Sequence, residues 1–192
     1  MSGAVVWVTG LPASGKSTLA RRVRDRLRGA GVPAAVLDGD AVRAALVPPP
    51  GYAEAERAAF YETLGNLAVA LAEDGLVAIV AATASRRGFR DRVRARLTSR
   101  AETTAGLSSR AEAREGVARF VEVLVDVPPE VCAARDPKGL WARARAGAAP
   151  DLPGAGVAYE APAAPEVVAR GGEDAAAVEA IAAALGITPG TR

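Results

Sequence analysis

Residues 10–18 read GLPASGKST, and this stretch holds the side chains best suited to phosphate chemistry. Gly10 and Gly15 let the backbone curl so that its N–H groups point inward at phosphate oxygens. Lys16 can neutralise charge on β- and γ-phosphates, and the Ser17 hydroxyl can ligate Mg²⁺. The segment stands between a predicted strand and a predicted helix, whose N-terminus favours an anion. The spacing therefore predicts a P-loop that binds the phosphates of a nucleotide.

A second group of candidate residues follows the next predicted strand, in LDGDAVR (37–43). Carboxylates there can face the phosphates across the carboxyl edge of a parallel sheet, where α/β proteins collect ligands. One carboxylate could help to hold Mg²⁺ or its waters, and another could take the proton from an acceptor hydroxyl. The alternative is a polar turn with a capping aspartate. We favour a functional pair because the turn follows a strand at the edge that binds ligands.

Other P-loop classes lack their signatures in this chain. GTPases of the Ras type read guanine with an Asn-Lys-x-Asp segment, but the single asparagine, Asn66, lies in GNLA. A motor ATPase would place an acidic residue at the end of a hydrophobic strand, whereas the predicted strand at 75–83 ends in Ala and Thr. These absences favour a kinase.

The chain has no histidine, which excludes a histidine base and any histidine-ligated metal.

The composition indicates a small protein of ordinary charge. The 192 residues suit one compact domain. With 24 basic and 22 acidic residues, the net charge of +2 requires neither a nucleic-acid nor a membrane partner. The single cysteine, Cys132, cannot form an internal disulfide, which agrees with a reducing compartment. Because no signal peptide and no bilayer-spanning apolar run is present, we expect a soluble cytoplasmic protein.

The remaining sequence predicts strands that alternate with helices. Strands are predicted at 4–9, 34–37, 75–83 and 119–128, and helices at 16–29, 53–73, 86–97, 129–145 and 173–186. This order is typical of an α/β fold with a parallel sheet covered by helices on both faces. We expect a single domain over 1–192, in which 98–117 is a surface insertion rather than an extension of the preceding helix. A loop rich in Gly, Ala and Pro covers 146–165.

Four segments together resemble the adenylylsulfate kinase family: GLPASGKST, LDGDAVR, FVEVLVDVPPEVCAARDPKGLWARARAG and YEAP. The resemblance extends from about residue 4 to about residue 168, and the third and fourth segments are more specific than the P-loop. It implies a P-loop kinase fold and the use of MgATP. The implied acceptor is the 3′-hydroxyl of adenosine 5′-phosphosulfate (APS), and the implied product is 3′-phosphoadenosine 5′-phosphosulfate (PAPS). Members of the family often form homodimers.

The resemblance also implies roles for matching positions. Asp40 would orient or deprotonate the 3′-hydroxyl, and Asp38 would hold Mg²⁺ with Ser17. Arg43 would contact the phosphosulfate group. The implied substrate-binding residues are Asp40, Arg43, Tyr52, Arg57, Thr83 and Lys138, of which Tyr52 would stack on the adenine of APS. Lys138 and GLWARARAG (139–147) would belong to a lid that closes over both nucleotides, and 146–165 is the lid and substrate loop. The implied ATP-binding residues are Gly10, Leu11, Pro12, Ala13, Ser14, Gly15, Lys16, Ser17, Thr18 and Arg135, of which Arg135 would meet the ATP base.

The chain departs from the family pattern on the acceptor side. Four positions differ from the family pattern. Ala41 replaces an asparagine, Phe60 replaces an amide residue, Glu62 replaces an arginine, and Pro150 lies near the position of a usual lysine. The family segment ISPYR reads TASRR at 83–87, which keeps Arg87 and places Ser85 one position beyond the usual serine. A missing polar partner in a substrate site changes which substrate binds best.

Three functions therefore remain open at this stage. The first is APS kinase, and the second is a related kinase that acts on a different nucleotide or small hydroxyl compound. The third is a non-catalytic nucleotide-binding protein. Retention of Lys16, Ser17, Asp38 and Asp40 counts against the third.

Overall fold

The computed structural model of the chain describes residues 3–105 and 118–187. Its five strands are all parallel and lie in the order β2-β3-β1-β4-β5. The strands are β1 (Ala4–Gly10), β2 (Ala34–Asp38), β3 (Val77–Ala81), β4 (Arg119–Val125) and β5 (Val167–Ala169). The helices are α1 (Lys16–Gly29), α2 (Gly39–Ala45), α3 (Glu54–Glu73), α4 (Arg87–Ala105), α5 (Pro129–Arg135), α6 (Leu140–Arg145) and α7 (Ala175–Ala184).

The central strand β1 is buried along its whole length because helices cover both faces of the sheet. Successive side chains point to opposite faces, so β1 divides the core into two clusters. Val5 and Trp7 pack with residues of α3 and α4. Val6 and Val8 pack with residues of α1 and α7. The predicted α/β fold with helices on both faces is confirmed.

The helix α1 packs on the sheet through the face that the sequence pattern predicts. Leu19, Val23 and Leu27 recur every four residues, and all three are fully buried. Its first residue, Lys16, directly follows the loop that leaves β1. The packed face of α1 therefore fixes the position of the helix N-terminus relative to the carboxyl edge of the sheet.

Two predicted helices have different bounds. The single helix predicted at 129–145 is two helices, α5 and α6, because Pro137 lacks an amide donor and Gly139 adopts a left-handed conformation with φ 65°. The prediction of a surface insertion at 98–117 is wrong for its first eight residues, 98–105, since α4 continues through them. Residues 106–117 lie outside the described residues.

Two elements were not predicted at all. The acidic turn DGD is the beginning of a short helix, α2, for which Asp38 is the N-cap. The edge strand β5 has only three residues and pairs with the end of β4. Within 3–105 and 118–187, no helix combines the length and the apolar character that crossing a bilayer requires.

A buried ion pair ties α4 to β4. The fully buried Arg90 donates from Nε to Oε1 of Glu122 at 2.6 Å. Arg94 contacts the same carboxylate at 3.3 Å and Glu166 at 2.6 Å. Arg90 also donates to the carbonyl oxygen of Glu160 at 2.7 Å. This network fixes one end of the segment 146–165.

Two further contacts hold the same end of that segment. The amide of Glu160 donates to the Ser85 carbonyl oxygen at 2.8 Å. The hydroxyls of Tyr159 and Thr9 are hydrogen-bonded at 3.0 Å, and Thr9 donates to the Thr83 carbonyl oxygen at 2.6 Å. The YEAP residues are therefore joined to the ends of β1 and β3.

We expect Glu122→Ala to lower the free energy of unfolding by about 3–5 kcal/mol, because it leaves the Arg90 guanidinium buried and unpaired. The matched control is Glu179→Ala, which breaks an exposed pair with Arg26 and should lower the free energy of unfolding far less, because water screens that pair. Urea unfolding followed by circular dichroism measures both values. Equal losses in the two variants would contradict the structural role of the buried pair.

Candidate active site

The P-loop links the end of β1 to the start of α1 with no space for side chains at its glycines. A Cβ atom at Gly10 would lie 2.6 Å from the carbonyl oxygen of Val125. A Cβ atom at Gly15 would lie 2.6 Å from the amide nitrogen of Gly172. Gly15 also has a φ of 103°, which L side chains rarely adopt. Both glycines are thus required by the close packing of the loop against β4 and against the residues after β5.

Lys16 folds back onto the loop that precedes it. Its ammonium group donates to the carbonyl oxygens of Leu11 at 2.7 Å and Gly10 at 3.1 Å. Desolvation lowers the pKa of Lys16 to about 8, although the charges of Asp40 and Asp38 act in the opposite direction. A phosphate at this position would favour the charged form of this partly buried ammonium group.

The two aspartates of the DGD segment have different contacts. The Oδ1 atom of Asp38 accepts the amide of Asp40 at 3.1 Å and so caps α2. The Asp40 carboxylate accepts a hydrogen bond from Lys138 at 2.5 Å. The capping alternative and the functional one are compatible, because capping uses one oxygen of Asp38 and the residue still lines the cleft.

Arg43 is a buried cation at the wall of the cleft. It is 8% exposed, and its Nη1 atom donates to the carbonyl oxygens of Pro50 at 3.0 Å and Gly51 at 2.6 Å. Its guanidinium carbon lies over the rings of Phe60, at 3.9 Å, and Tyr52, at 4.6 Å. In the part of the chain that the structure describes, no carboxylate forms an ion pair with Arg43. An uncompensated buried cation of this kind is suited to bind an anion.

Arg57 approaches Tyr52 from α3. Its Nε donates to the Tyr52 carbonyl oxygen and its Nη2 to that of Asp151, both at 2.7 Å. The Tyr52 side chain is 59% exposed beside the cleft. It is therefore free to offer a ring face to a planar ligand, whereas a residue that only packs in the core would be buried.

These residues meet in one cleft of about 1280 Å³, at the carboxyl edge of the sheet. It is large for a site that holds one small molecule. The predicted site residues that line it are Pro12, Ala13, Gly15, Lys16, Ser17, Thr18, Asp38, Asp40, Arg43, Tyr52, Arg57, Thr83, Arg135 and Lys138. The predicted ATP-binding residues that do not line it are Gly10, Leu11 and Ser14. Of these, Ser14 is fully buried, and the other two contribute carbonyl oxygens to Lys16.

Only two of the four altered positions lie on the cleft. Phe60 and Pro150 line it. Ala41 is exposed on α2, and Glu62 forms ion pairs with Arg92 and Arg96 of α4. Ala41 and Glu62 therefore form no part of the described wall of the cleft.

The ISPYR-like segment also lies outside the cleft, apart from Thr83. Ser85 is buried, and its carbonyl oxygen accepts the amide of Glu160. The guanidinium group of Arg87 binds the Ala161 carbonyl oxygen. Both residues thus contact the YEAP segment rather than the cleft.

Sequence reasoning missed two arginines that line the cleft, Arg21 and Arg170, and included a third, Arg143, only as part of the lid segment 139–147. Arg21 lies on α1, five residues after Lys16, and this spacing from the P-loop could have indicated it. Arg143 lies in α6, which contains more than one arginine, so the sequence alone does not show which of them lines the cleft. Arg170 directly follows β5, so it could not have been placed without that strand.

Comparison with known proteins adds to this geometry. A sequence profile described as adenylylsulphate kinase matches residues 2–170. The adenylyl-sulfate kinase of Citrobacter koseri is 39% identical over 165 residues, which is 86% of this chain and 73% of the relative. That of Escherichia coli K12 is 38% identical over 169 residues, which is 88% of this chain and 75% of the relative.

Solved structures agree with the sequence comparison. The APS kinase of Mycobacterium tuberculosis, in complex with AMPPNP and APS, superposes with a TM-score of 0.72 at 35% identity and covers 87% of each chain. A gluconokinase from Sinorhizobium meliloti has a TM-score of 0.53 at 21% identity, covers 96% of this chain and 92% of its own, and shares the fold alone.

We expect ATP binding at pH 9, with EDTA present, to take up close to one proton. Free Lys16 has a pKa of about 8, so it is mostly neutral at pH 9, and the bound phosphates would raise that pKa and recharge it. At pH 7 the lysine is already charged and contributes little uptake. Calorimetry in two buffers with different ionisation enthalpies measures the number of protons.

The control for this measurement is Lys16→Arg, which places a permanent cation at the same position and should abolish the uptake at pH 9. Lys138→Met should leave the uptake unchanged, because the hydrogen bond to Asp40 raises the pKa of Lys138 and keeps it charged at pH 9. Uptake that persists in Lys16→Arg would assign the proton to another group.

Proposed function

Because the chain belongs to the adenylylsulphate kinase family, we propose that it transfers the γ-phosphate of MgATP to the 3′-hydroxyl of APS and so forms PAPS. One observation in the structure carries the proposal. The desolvated Lys16 and the buried Arg43, which has no ion-pair partner among the described residues, line the same cleft, with the carboxylates of Asp38 and Asp40 also on its wall. The cleft can thus bind two anionic ligands and also offers a proton acceptor.

On the donor side, the P-loop amides and Lys16 bind the triphosphate, and the N-terminus of α1 adds a favourable dipole. Arg135, which is exposed at the cleft, contacts the ATP base. Arg21 and Arg170 line the same cleft and add positive charge to it. Since phosphoryl transfer depends on positioning and charge neutralisation, these cations are the main contribution of the protein on this side.

The residues at the P-loop and the DGD segment fit a magnesium ion. Ser17 and Asp38 both line the cleft and offer a hydroxyl and a carboxylate, the oxygen ligands that Mg²⁺ prefers. Within 3–105 and 118–187, no group of three or more His, Cys, Asp or Glu residues is placed to hold a metal. This agrees with an ion that protein side chains bind at only one or two positions and that phosphates and waters bind elsewhere. When bound, Mg²⁺ neutralises charge on the β- and γ-phosphates.

On the acceptor side, Arg43 and Arg57 bind the phosphosulfate group through their guanidinium forks. Tyr52 stacks on the adenine, and its exposed ring is available for that contact. Thr83 borders this part of the cleft at the end of β3. The neighbouring loop 146–165 contributes Pro150 to the wall and acts as part of the lid.

Asp40 accepts the proton of the 3′-hydroxyl as that oxygen attacks the γ-phosphorus. The Asp40 carboxylate accepts a hydrogen bond from Lys138, so a hydrogen bond from the acceptor hydroxyl to the same carboxylate would compete with this ion pair. Lys138 follows the break between α5 and α6, and once released it can contact a substrate phosphate from the lid. Removal of the proton and alignment of the hydroxyl both favour the in-line transfer.

A related kinase with another hydroxyl acceptor is the second candidate. It is favoured by Phe60 and Pro150, because these two residues line the acceptor side without the polar groups that the family resemblance implies there. A thermal-shift screen of nucleotides and hydroxylated metabolites, with an ATP analogue present, compares the two candidates. A larger shift with a compound other than APS would favour the second.

We further propose that two copies form a homodimer in the cytoplasm. The dimer rests on the family resemblance, and the compartment rests on the single cysteine, Cys132, which is buried. Sedimentation velocity of the purified protein tests the assembly, and fractionation of the source cells tests the location.

The direct test of the function incubates the purified protein with APS and MgATP and measures PAPS by ion-pair chromatography. We expect Asp40→Asn to lower kcat by about 10²- to 10⁴-fold, because it removes the proton acceptor and keeps the side-chain size. Its control is Asp25→Asn, which changes a surface aspartate beside Arg24 and should leave kcat unchanged.

Two results would contradict these proposals separately. Absence of PAPS with the wild-type protein would refute APS as the acceptor. Wild-type kcat in Asp40→Asn, with PAPS still formed, would refute only the role of Asp40.

A further inference from the structure

We propose that Phe60 is a positioning residue for the APS anion, and that it acts by fixing the guanidinium group of Arg43 with its ring. The inference rests on the proposed function and concerns the position at which the chain departs most clearly from its family inside the cleft. An amide at this position would offer a hydrogen bond to the substrate directly. A phenyl ring offers none, so its contribution must pass through a neighbouring side chain.

The contact between Phe60 and Arg43 is close and buried. The guanidinium carbon lies 3.9 Å from the centroid of the Phe60 ring, closer than its 4.6 Å to the Tyr52 ring. Phe60 is 3% exposed and Arg43 is 8% exposed, so water screens this attraction only weakly. A desolvated cation over a ring face is at the strong end of the cation–π range.

Hydrogen bonds fix the rotation of the same guanidinium group. Its Nη1 atom donates to the carbonyl oxygens of Pro50 and Gly51. A guanidinium group has five N–H donors in a rigid plane. Since Nη1 is engaged by the backbone and the plane is held by the ring, the donors on Nε and Nη2 are oriented before an anion arrives.

Phe60 is itself held in place by other aromatic rings. Its centroid lies 5.4 Å from that of Tyr61, and the Tyr61 centroid lies 4.8 Å from that of Phe89. The Tyr61 hydroxyl accepts the amide of Ala84 at 3.1 Å, which connects this group of rings to the loop after β3. The Phe60 ring is therefore a rigid support rather than a mobile cover.

The second arginine of the acceptor side lies on the same helix face. Arg57 precedes Phe60 by three residues on α3, a spacing that places both side chains on one face. The Arg57 guanidinium carbon lies 5.6 Å from the Tyr52 ring centroid. The two rings thus hold two arginines side by side, and binding of a doubly anionic phosphosulfate depends on this pre-orientation rather than on an amide contact.

The experiment compares steady-state kinetics of Phe60→Leu and wild type. We expect the KM for APS to rise by about five- to thirty-fold, the range that loss of a desolvated cation–π contact gives. The kcat and the KM for ATP should change less than about two-fold, because the P-loop and Asp40 are untouched. Phe60→Tyr, which keeps the ring, should stay within about three-fold of wild type. Phe60→Met, which keeps the volume without the ring, replaces Phe60→Leu if that variant fails to fold.

The matched control is Phe89→Leu. Phe89 belongs to the same aromatic group and also has an arginine, Arg92, over its ring at 5.4 Å. It does not line the cleft, however. Phe89→Leu should therefore lose stability in urea unfolding, as Phe60→Leu does, while its KM for APS rises much less, because Phe89 reaches Phe60 only through Tyr61.

Three results distinguish failure of the proposed function from failure of the inference about Phe60. A wild-type protein that forms no PAPS contradicts the proposed function. An active wild type with an unchanged KM for APS in Phe60→Leu, or in Phe60→Met where that variant replaces it, overturns the inference alone. An equal rise of that KM in Phe89→Leu also overturns it, because the effect would then follow from loss of core packing.

Discussion

Parallel pairing of β1 with β3 on one side and β4 on the other is the constraint on which the rest of the structure depends. Because all the strands run in one direction, each delivers the residues that follow it to the same edge. The P-loop follows β1, the acidic segment follows β2, and Thr83 follows β3. Residues that are tens of positions apart in the chain thus line one cleft, and both sheet faces remain available for the hydrophobic core.

Buried cations in this protein divide into two kinds with different consequences. Arg90 forms an ion pair with Glu122 and donates its other hydrogen bonds to carbonyl oxygens, so it stabilises the fold. Arg43 has carbonyl oxygens and aromatic rings around it but no ion-pair partner in the described parts of the chain, and Lys16 is desolvated enough to depress its pKa. Carbonyl oxygens, aromatic rings and nearby carboxylates offset the desolvation of these two cations only in part, and a bound anion would offset it further. Desolvation without a direct ion-pair partner among the described residues therefore distinguishes these two cations of the site from Arg90 of the core.

The sequence predicted contiguous features well and long-range ones poorly. The P-loop could be located in full because its glycines, Lys16 and flanking elements are adjacent in the chain. The three-residue strand β5 was missed, since so short a segment shows no periodicity. Without that strand, Arg170 could not be placed at the cleft. The support of Arg43 by Phe60 could not be predicted either, because it depends on how α2 and α3 approach each other. The assignment of the acceptor residues therefore stays a prediction that the geometry supports.

The anchoring of Tyr159 and Glu160 limits how the cleft can open. Three hydrogen bonds attach this pair to Thr9, Arg90 and the Ser85 carbonyl oxygen. The C-terminal part of the segment 146–165, which also carries Pro150, is consequently attached to the sheet. The middle of the same segment is attached as well, because Arg57 donates to the Asp151 carbonyl oxygen and Leu152 is buried in the core. A wider entrance on this side therefore requires release of the Arg57 contact, while the end at Tyr159 and Glu160 stays fixed to the sheet.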